Sequence, residues 1–297
     1  VGSEGTFGGV TEVTMKIFRF MPENQFRFCF IFPSWEASVE AVREISQGEF
    51  GLPGVLRLSD PEETDVALKL YGVEGTILDS LMSVRGFKPM KRCLLIGRTE
   101  GERGFSRHVL RMSKRVCKAH GGMSLTGYPV KSWEHGRFRD PYLREDAGDY
   151  DLIIDTLECS VTWENLERVY KGARDYVKGR PDTVCMTHAS HFYPQGTNLY
   201  FIYYCLMSDL EEYRRFQAGV FDSIVKHGGS LSHHHGVGRM IAPWMEEHLG
   251  KEQVDVIRAL KHHFDPRGIM NPGGQLGLDL DVSVLKNKDW RINWKRV

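Results

Sequence analysis

Thr183-Val184-Cys185-Met186-Thr187-His188 and Asn198-Leu199-Tyr200-Phe201-Ile202-Tyr203-Tyr204-Cys205-Leu206 are runs rich in β-branched, aromatic and other apolar side chains. Between them lies Ser190-His191-Phe192-Tyr193-Pro194-Gln195-Gly196. Two strand-forming runs joined by a short turn containing Pro and Gly read as an antiparallel pair. That pair decides the fold class. The sheet is predicted to be mainly antiparallel, with helices packed on it.

Upstream, Leu152 to Val161 reads as a further strand, and Thr162 as the cap of a helix that carries Trp163, Leu166, Val169, Ala173 and Val177 on one face. Phe26 to Phe32 is an aromatic-rich strand, followed by a helix over Ser34 to Gln47. Gly54 to Leu58 is a short strand. It runs into Asp60-Pro61-Glu62-Glu63, a helix start with Asp60 as N-cap and Pro61 in the first turn. Arg92 to Gly97 and Glu102 to Ala119 form another strand and helix. Thr11 to Phe18 alternates apolar and polar residues and is predicted to be a strand. Downstream the chain is helical: Asp209 to His227, Ala242 to Leu249 and Lys251 to Phe264. The class is therefore α+β with a C-terminal helical tail.

Lys and Arg together number 39, as do Asp and Glu, so no net charge draws nucleic acid or an anionic membrane to the surface. The six cysteines show no CxxC spacing and lie in apolar runs, which reads as buried thiols of a reducing compartment. No segment reaches the roughly 18 apolar residues of a membrane span, and no signal peptide is present, so the expected location is cytoplasmic. The opening Val1-Gly2-Ser3-Glu4-Gly5, without Met, is expected to continue from a longer protein.

Four constellations could carry chemistry. Ser232-His233-His234-His235-Gly236 sets three imidazoles between small-residue stretches, and histidine is the side chain most easily poised for proton transfer near neutral pH. A solvated loop or a metal site are the other readings. Tyr193 on the strand-connecting turn can exchange a proton through its phenol, or simply pack at a rim. Arg144 and Arg57 have the geometry to hold phosphate or carboxylate, or are surface charges. The glycine density of Gly2 to Val10 suits backbone contact with a nucleotide, although it leads into a predicted strand and is no Rossmann fingerprint.

Taken together these segments resemble one family. Gly2-Ser3-Glu4-Gly5-Thr6-Phe7-Gly8-Gly9-Val10-Thr11-Glu12 is similar to the closing segment of the flavin domain in the vanillyl-alcohol-oxidase superfamily. Phe264-Asp265-Pro266-Arg267-Gly268-Ile269-Met270-Asn271-Pro272-Gly273 is similar to that superfamily's C-terminal signature. Leu231-Ser232-His233-His234-His235-Gly236-Val237-Gly238 resembles the His-rich loop of the alkyldihydroxyacetonephosphate synthase family. Tyr142-Leu143-Arg144, Ser160 and Trp163 match that family's substrate-phosphate region in spacing. Tyr193 falls at its catalytic tyrosine, and Arg57 at an arginine needed for activity.

The resemblance implies FAD as cofactor and a substrate-binding cap domain over residues 21–238. The end of the FAD-binding domain would lie at 1–20, and a helical segment returning to that domain at 239–297. It implies a redox-neutral exchange of the acyl group of acyl-dihydroxyacetone phosphate for a fatty alcohol through a flavin adduct, a step in ether-lipid synthesis. Tyr193, His233, His234 and His235 would be catalytic. Arg144, Ser160 and Arg57 would bind substrate, and Glu4, Gly5, Thr6, Phe7, Gly8, Gly9, Val10 and Asn271 would touch the cofactor. The implied partners are a small phosphate ester with a fatty alcohol, or a small hydroxy acid, together with the upstream FAD-binding half. A homodimer is allowed, and a eukaryotic source would place the protein in the peroxisome.

Two other functions remain open. One is an FAD-linked oxidase or dehydrogenase of a 2-hydroxy acid on the same scaffold; the other is a non-catalytic module made of the cap alone. Against the dehydrogenase, the family's metal set is broken. His234 stands where that branch has a Glu, and Gly196-Thr197-Asn198-Leu199-Tyr200 ends on Tyr where the branch has His, so no metal is expected.

Overall fold

The computed structural model describes residues 2–138 and 143–278, without the side chains of residues 143–145 and 210. It divides into two compact units, Phe18–Ser208 and Val1–Ile17 with Asp209–Val297. The division at residues 208–209 places the His loop with the terminal segments, whereas the sequence reading set the end of the cap at 238.

The Phe18–Ser208 unit is built on β1 (Phe26–Phe32), α1 (Trp35–Gln47), β2 (Val55–Ser59), α2 (Pro61–Leu70), α3 (Ile77–Val84), β3 (Cys93–Thr99), α4 (Arg103–Ala119), β4 (Met123–Leu125), α5 (Tyr128–Gly136), α6 (Leu143–Gly148), β5 (Leu152–Thr162), α7 (Leu166–Lys178), β6 (Val184–Ser190) and β7 (Gly196–Leu206). The seven strands form one sheet in the order β4-β1-β3-β2-β6-β7-β5, and every neighbouring pair is antiparallel.

Local chemistry accounts for the boundaries. Ser34 accepts from Ala37 N to start α1, Asp60 accepts from Glu63 N to start α2, and Glu102 caps α4. These side chains satisfy amide donors that the first turn leaves without partners. Thr162 does not cap α7 as expected; it ends β5, and the helix begins after Asn165. The apolar stripe Leu166, Val169, Ala173 and Val177 is buried as its spacing requires.

Strand β1 is buried on both faces. Cys29 packs with Leu94, Ile96 and Val130 of α5, and Ile31 with Leu68 of α2 and Met82 of α3. Phe28, Phe30 and Phe32 alternate to the other face. Opposite Phe28, Gly97 is required: a Cβ there would stand 2.2 Å from the Phe28 ring. Arg92, almost wholly buried, ties α2 and α3 to β3 through Asp65 Oδ1 (2.8 Å) and Asp79 Oδ1 (2.5 Å).

The second unit holds α8 (Leu210–Lys226), α9 (Gly238–Leu249) and α10 (Lys251–Phe264). Trp244 of α9 is buried against Phe221 of α8, and its indole N–H donates to Asp222 Oδ1 at 2.7 Å. The strand expected over Thr11 to Phe18 is not formed, and Val13, Met15, Ile17 and Phe18 are exposed. A strand needs a neighbouring strand for its N–H and C=O groups, and alternation within one segment does not supply it. Among the described residues no helix is long and apolar enough to cross a membrane.

Candidate active site

One face of the sheet changes character from one edge to the other. Register places Leu125, Cys29, Ile96 and Arg57 on it, and one row further along Ser59, His188, Tyr200 and Glu158 stand opposite one another across β2, β6, β7 and β5. Ser190, Asn198 and Ser160 form the next row toward the β6–β7 turn. The apolar half of this face is covered by α2, α3 and α5; the β2-β6-β7-β5 half carries polar and ionisable groups.

The centre of that half is a three-membered cluster. Arg57 Nη2 donates to Glu63 Oε1 at 2.6 Å and lies 3.1 Å from His188 Nδ1, which is itself 3.1 Å from the same carboxylate oxygen. The His188 ring stacks on Tyr200 with centroids 4.6 Å apart and planes at 15°. Burial alone would raise the Glu63 carboxyl, but Arg57 and His188 reverse this and hold it well below the usual range. Burial keeps His188 below its ordinary value despite Glu63, so the ring is neutral. Burial, followed by the nearby Glu158, pushes the Tyr200 phenol up to about 12. Glu158 in turn accepts from the Asn198 amide. Arg57 Nε and Nη1 have no partner among the described residues.

Tyr193 occupies the tip of the β6–β7 turn, half exposed. Its backbone closes the turn with Gly196, N–H to O at 2.8 Å one way and 3.3 Å the other. The Trp163 indole N–H donates to Tyr193 O (3.2 Å) and Pro194 O (3.0 Å), and its ring lies parallel to Phe192. A Cβ on Gly196 would stand 2.0 Å from Val161 O, so the turn closes against β5 only with glycine there. Ser160 lies on the polar face; the expectation for the Arg144 side chain falls outside the described residues.

Sequence reasoning missed His188, Glu63, Tyr200 and Glu158. For His188, Tyr200 and Glu158 the alternation within each strand was a usable signal, because each lies on the parity that carries polar side chains; Glu63, in α2, had no such signal.

In the other unit, the Glu4 carboxylate accepts from Val237 N (2.6 Å) and Gly238 N (2.9 Å). These are the donors at the start of α9, which has no side-chain cap of its own. The expectation for Glu4 was a cofactor contact through its backbone; its carboxylate fixes the exit of the His loop. Gly236, at φ 84°, passes so close that a Cβ would meet Glu4 Oε1 at 2.7 Å. Within the loop, His233 Nδ1 and His234 Nδ1 are 2.9 Å apart, so one nitrogen carries the proton and the other accepts it. The His234 and His235 rings meet edge to face at 4.8 Å.

Asn271 also turns inward, its amide donating to Glu4 O at 2.5 Å. Beside it the buried Lys261 ammonium donates to Thr6 O (2.9 Å), Asp265 Oδ2 (2.6 Å) and Met270 O (2.6 Å). The Phe264–Gly273 motif thus joins the glycine-rich arm to α10. Hydrogen bonds from Lys261 and then from Met270 N–H hold Asp265 down at about 2.

Residues 21–274 match the family model described as FAD linked oxidases, C-terminal domain. The chain belongs to this family. It is 32% identical over 289 residues to the alkyldihydroxyacetonephosphate synthase of Dictyostelium discoideum, covering 92% of this chain and 47% of that protein. The glycolate oxidase subunit GlcD of Bacillus subtilis is 24% identical, over 97% of this chain and 58% of its own length. A crystal structure of an alkyldihydroxyacetonephosphate synthase superposes with a TM-score of 0.72 at 28% identity, covering 92% of this chain and 48% of that one. The chain spans about half the length of the curated relatives it matches.

FAD is the cofactor that names the family, and the arm at residues 5–10 fits such a group. The peptide N–H groups of Gly8, Gly9 and Val10 make no hydrogen bond among the described residues, and a Cβ at Gly8 or Gly9 would meet nothing within 4 Å. Thr6 Oγ1 and Gln275 Oε1 are buried without a partner on the segments that adjoin it.

Proposed function

We propose that this chain is the substrate-binding portion of an FAD-dependent enzyme of the alkylglycerone-phosphate synthase type. The reaction exchanges the acyl group of acyl-dihydroxyacetone phosphate for a fatty alcohol. The observation that carries the reading is the His-rich loop clamped at its exit by Glu4. The likeness to synthases along almost the whole chain agrees with it.

In this reading FAD, when bound, supplies a ring able to take and return an electron pair, and Gly5, Thr6, Phe7, Gly8, Gly9 and Val10 hold it mainly through peptide groups. Arg57, with Ser160 and Arg144, binds and orients the phosphate, which fixes the reacting carbon. Tyr193 and the paired imidazoles of His233, His234 and His235 take up and deliver the protons of the acyl and alkyl oxygens. The phenol–imidazole set suits this because neutral imidazole and phenol can each donate and accept.

A second reading, an FAD-linked oxidase of a 2-hydroxy acid, is favoured by the likeness to the glycolate oxidase subunit and by the equal fit of a guanidinium edge to carboxylate. One experiment separates them. Full-length protein is given acyl-dihydroxyacetone phosphate and hexadecanol without an electron acceptor, and separately D-lactate with one. Ether product upholds the synthase; turnover of the hydroxy acid alone replaces it with the oxidase; a colourless protein that takes up no FAD rejects both.

A further inference from the structure

Arg57 is gripped at a single nitrogen. Nη2 alone meets Glu63 Oε1 (2.6 Å) and His188 Nδ1 (3.1 Å), and the two partners come from different elements, α2 and β6. An arginine placed only to neutralise a buried carboxylate gains most from two parallel hydrogen bonds to both oxygens. Here the second oxygen of Glu63 is buried without a hydrogen-bond partner, and Arg57 Nε and Nη1 have none among the described residues. The contact therefore fixes the guanidinium by Nη2 while leaving the N–H groups of Nε and Nη1 to donate elsewhere.

Both anchors are themselves fixed. Glu63 N donates to Asp60 Oδ1 at 2.8 Å, which sets the first turn of α2. His188 sits mid-strand opposite both Ser59 and Tyr200, and its ring is pinned by the Tyr200 stack. A free arginine side chain loses much rotamer entropy on meeting a ligand; one already held has lost it beforehand, and the donors it presents are preorganised.

We propose that His188 and Glu63 are positioning residues for Arg57, holding its guanidinium by Nη2 so that its remaining N–H donors, on Nη1 and Nε, are presented to the anionic group of the substrate. This rests on the reading that Arg57 binds substrate, and holds for phosphate or carboxylate.

The test is a double-mutant cycle in the full-length holoenzyme, on whichever of the two reactions the wild type performs. His188→Leu removes the imidazole partner and lowers kcat/KM by between about tenfold and a hundredfold. His188→Asn, which puts an amide able to donate or accept near the position of Nδ1, recovers part of the loss. Arg57→Lys with His188→Leu is no worse than Arg57→Lys alone, because the only partner of His188 in this role is already gone. Losses that add, with no recovery in His188→Asn, overturn the proposal.

A second readout does not depend on turnover. Phenylglyoxal modification of Arg57, followed by peptide mass, is several-fold faster in His188→Leu and in Glu63→Gln than in wild type. An unchanged rate overturns the proposal even if neither reaction is catalysed, an outcome that would sink the assigned function separately.

Discussion

Replacing Glu4 by Ala tests whether the arm controls the His loop. The carboxylate accepts two backbone hydrogen bonds, at 2.6 and 2.9 Å, from the start of α9. Losing an N-cap acceptor typically costs about 1 kcal/mol, and hydrogen bonds to a charged group contribute roughly 1.5–3 kcal/mol each. Glu4 is half-buried, so water recovers part of this in the variant. A net loss of about 2 kcal/mol is expected for local opening of the loop exit, since N–H groups of a first turn have no other partner. At 1.4 kcal/mol per tenfold, amide exchange at Val237 and Gly238 should quicken about 30-fold. Glu4→Gln keeps one acceptor and loses the charge, so its effect is smaller, about 1 kcal/mol or fivefold. The assay is hydrogen exchange with fragment separation on the full-length protein, with α1 and β7 peptides as internal controls. Unchanged exchange at residues 237–238 would refute the reasoning, and so would acceleration spread equally over the control peptides.

Three other outcomes follow from described contacts. Tyr193→Phe leaves the turn intact, because Trp163 holds its backbone, yet lowers kcat by between about a hundredfold and ten-thousandfold; full activity with an unchanged pH profile removes Tyr193 from proton transfer. Arg174→Met strands the fully buried Asp60, to which Arg174 Nη1 donates at 2.6 Å, and costs about 3–5 kcal/mol in urea unfolding; a loss below about 1 kcal/mol would show that Asp60 is carried by its other partners. Asp265 has its folded pKa depressed to about 2 by Lys261 and the Met270 and Ile269 amides, so its stabilisation is present above the ordinary carboxylate range and is lost as pH falls toward 2. Asp265→Asn should therefore be less stable near neutrality and show a flatter acid limb below pH about 4; a parallel limb would contradict this.

Much of the scaffold was legible because its signals are local. The cap Asp60, the limits of β1 and α10, and the β6–β7 pair all depend on neighbours within a few residues. Helix α3 and the three-residue β4 were missed; Arg92 fastens α3 by an ion pair with Asp79, a contact no periodicity announces. The Thr11 to Phe18 alternation was real as a pattern, but pairing is a property of two segments and only one was in view.

The site divides the same way. Tyr193, the His loop and Arg57 were picked out as residues, whereas what each touches was not. Glu4 meets Val237, and Lys261 meets Thr6, across most of the chain length. Likewise, His188 reaches Arg57 only once β6 is set beside β2.

The two polar rows have a consequence for how this sheet can change. On β5, β6 and β7 the groups facing the site are all even-numbered: Glu158, Ser160, His188, Ser190, Asn198 and Tyr200. The odd-numbered Leu157, Cys159, Val161, Cys185, Thr187, Ala189, Leu199, Phe201 and Tyr203 are buried on the other face. Substitutions at even positions can rewrite what the surface binds while the odd positions keep the fold. Inserting or deleting one residue within these strands exchanges the two sets, placing Glu158 or His188 in the apolar layer. Relatives that bind different molecules on this scaffold should therefore differ there by replacement at constant strand length, with insertions confined to the turns.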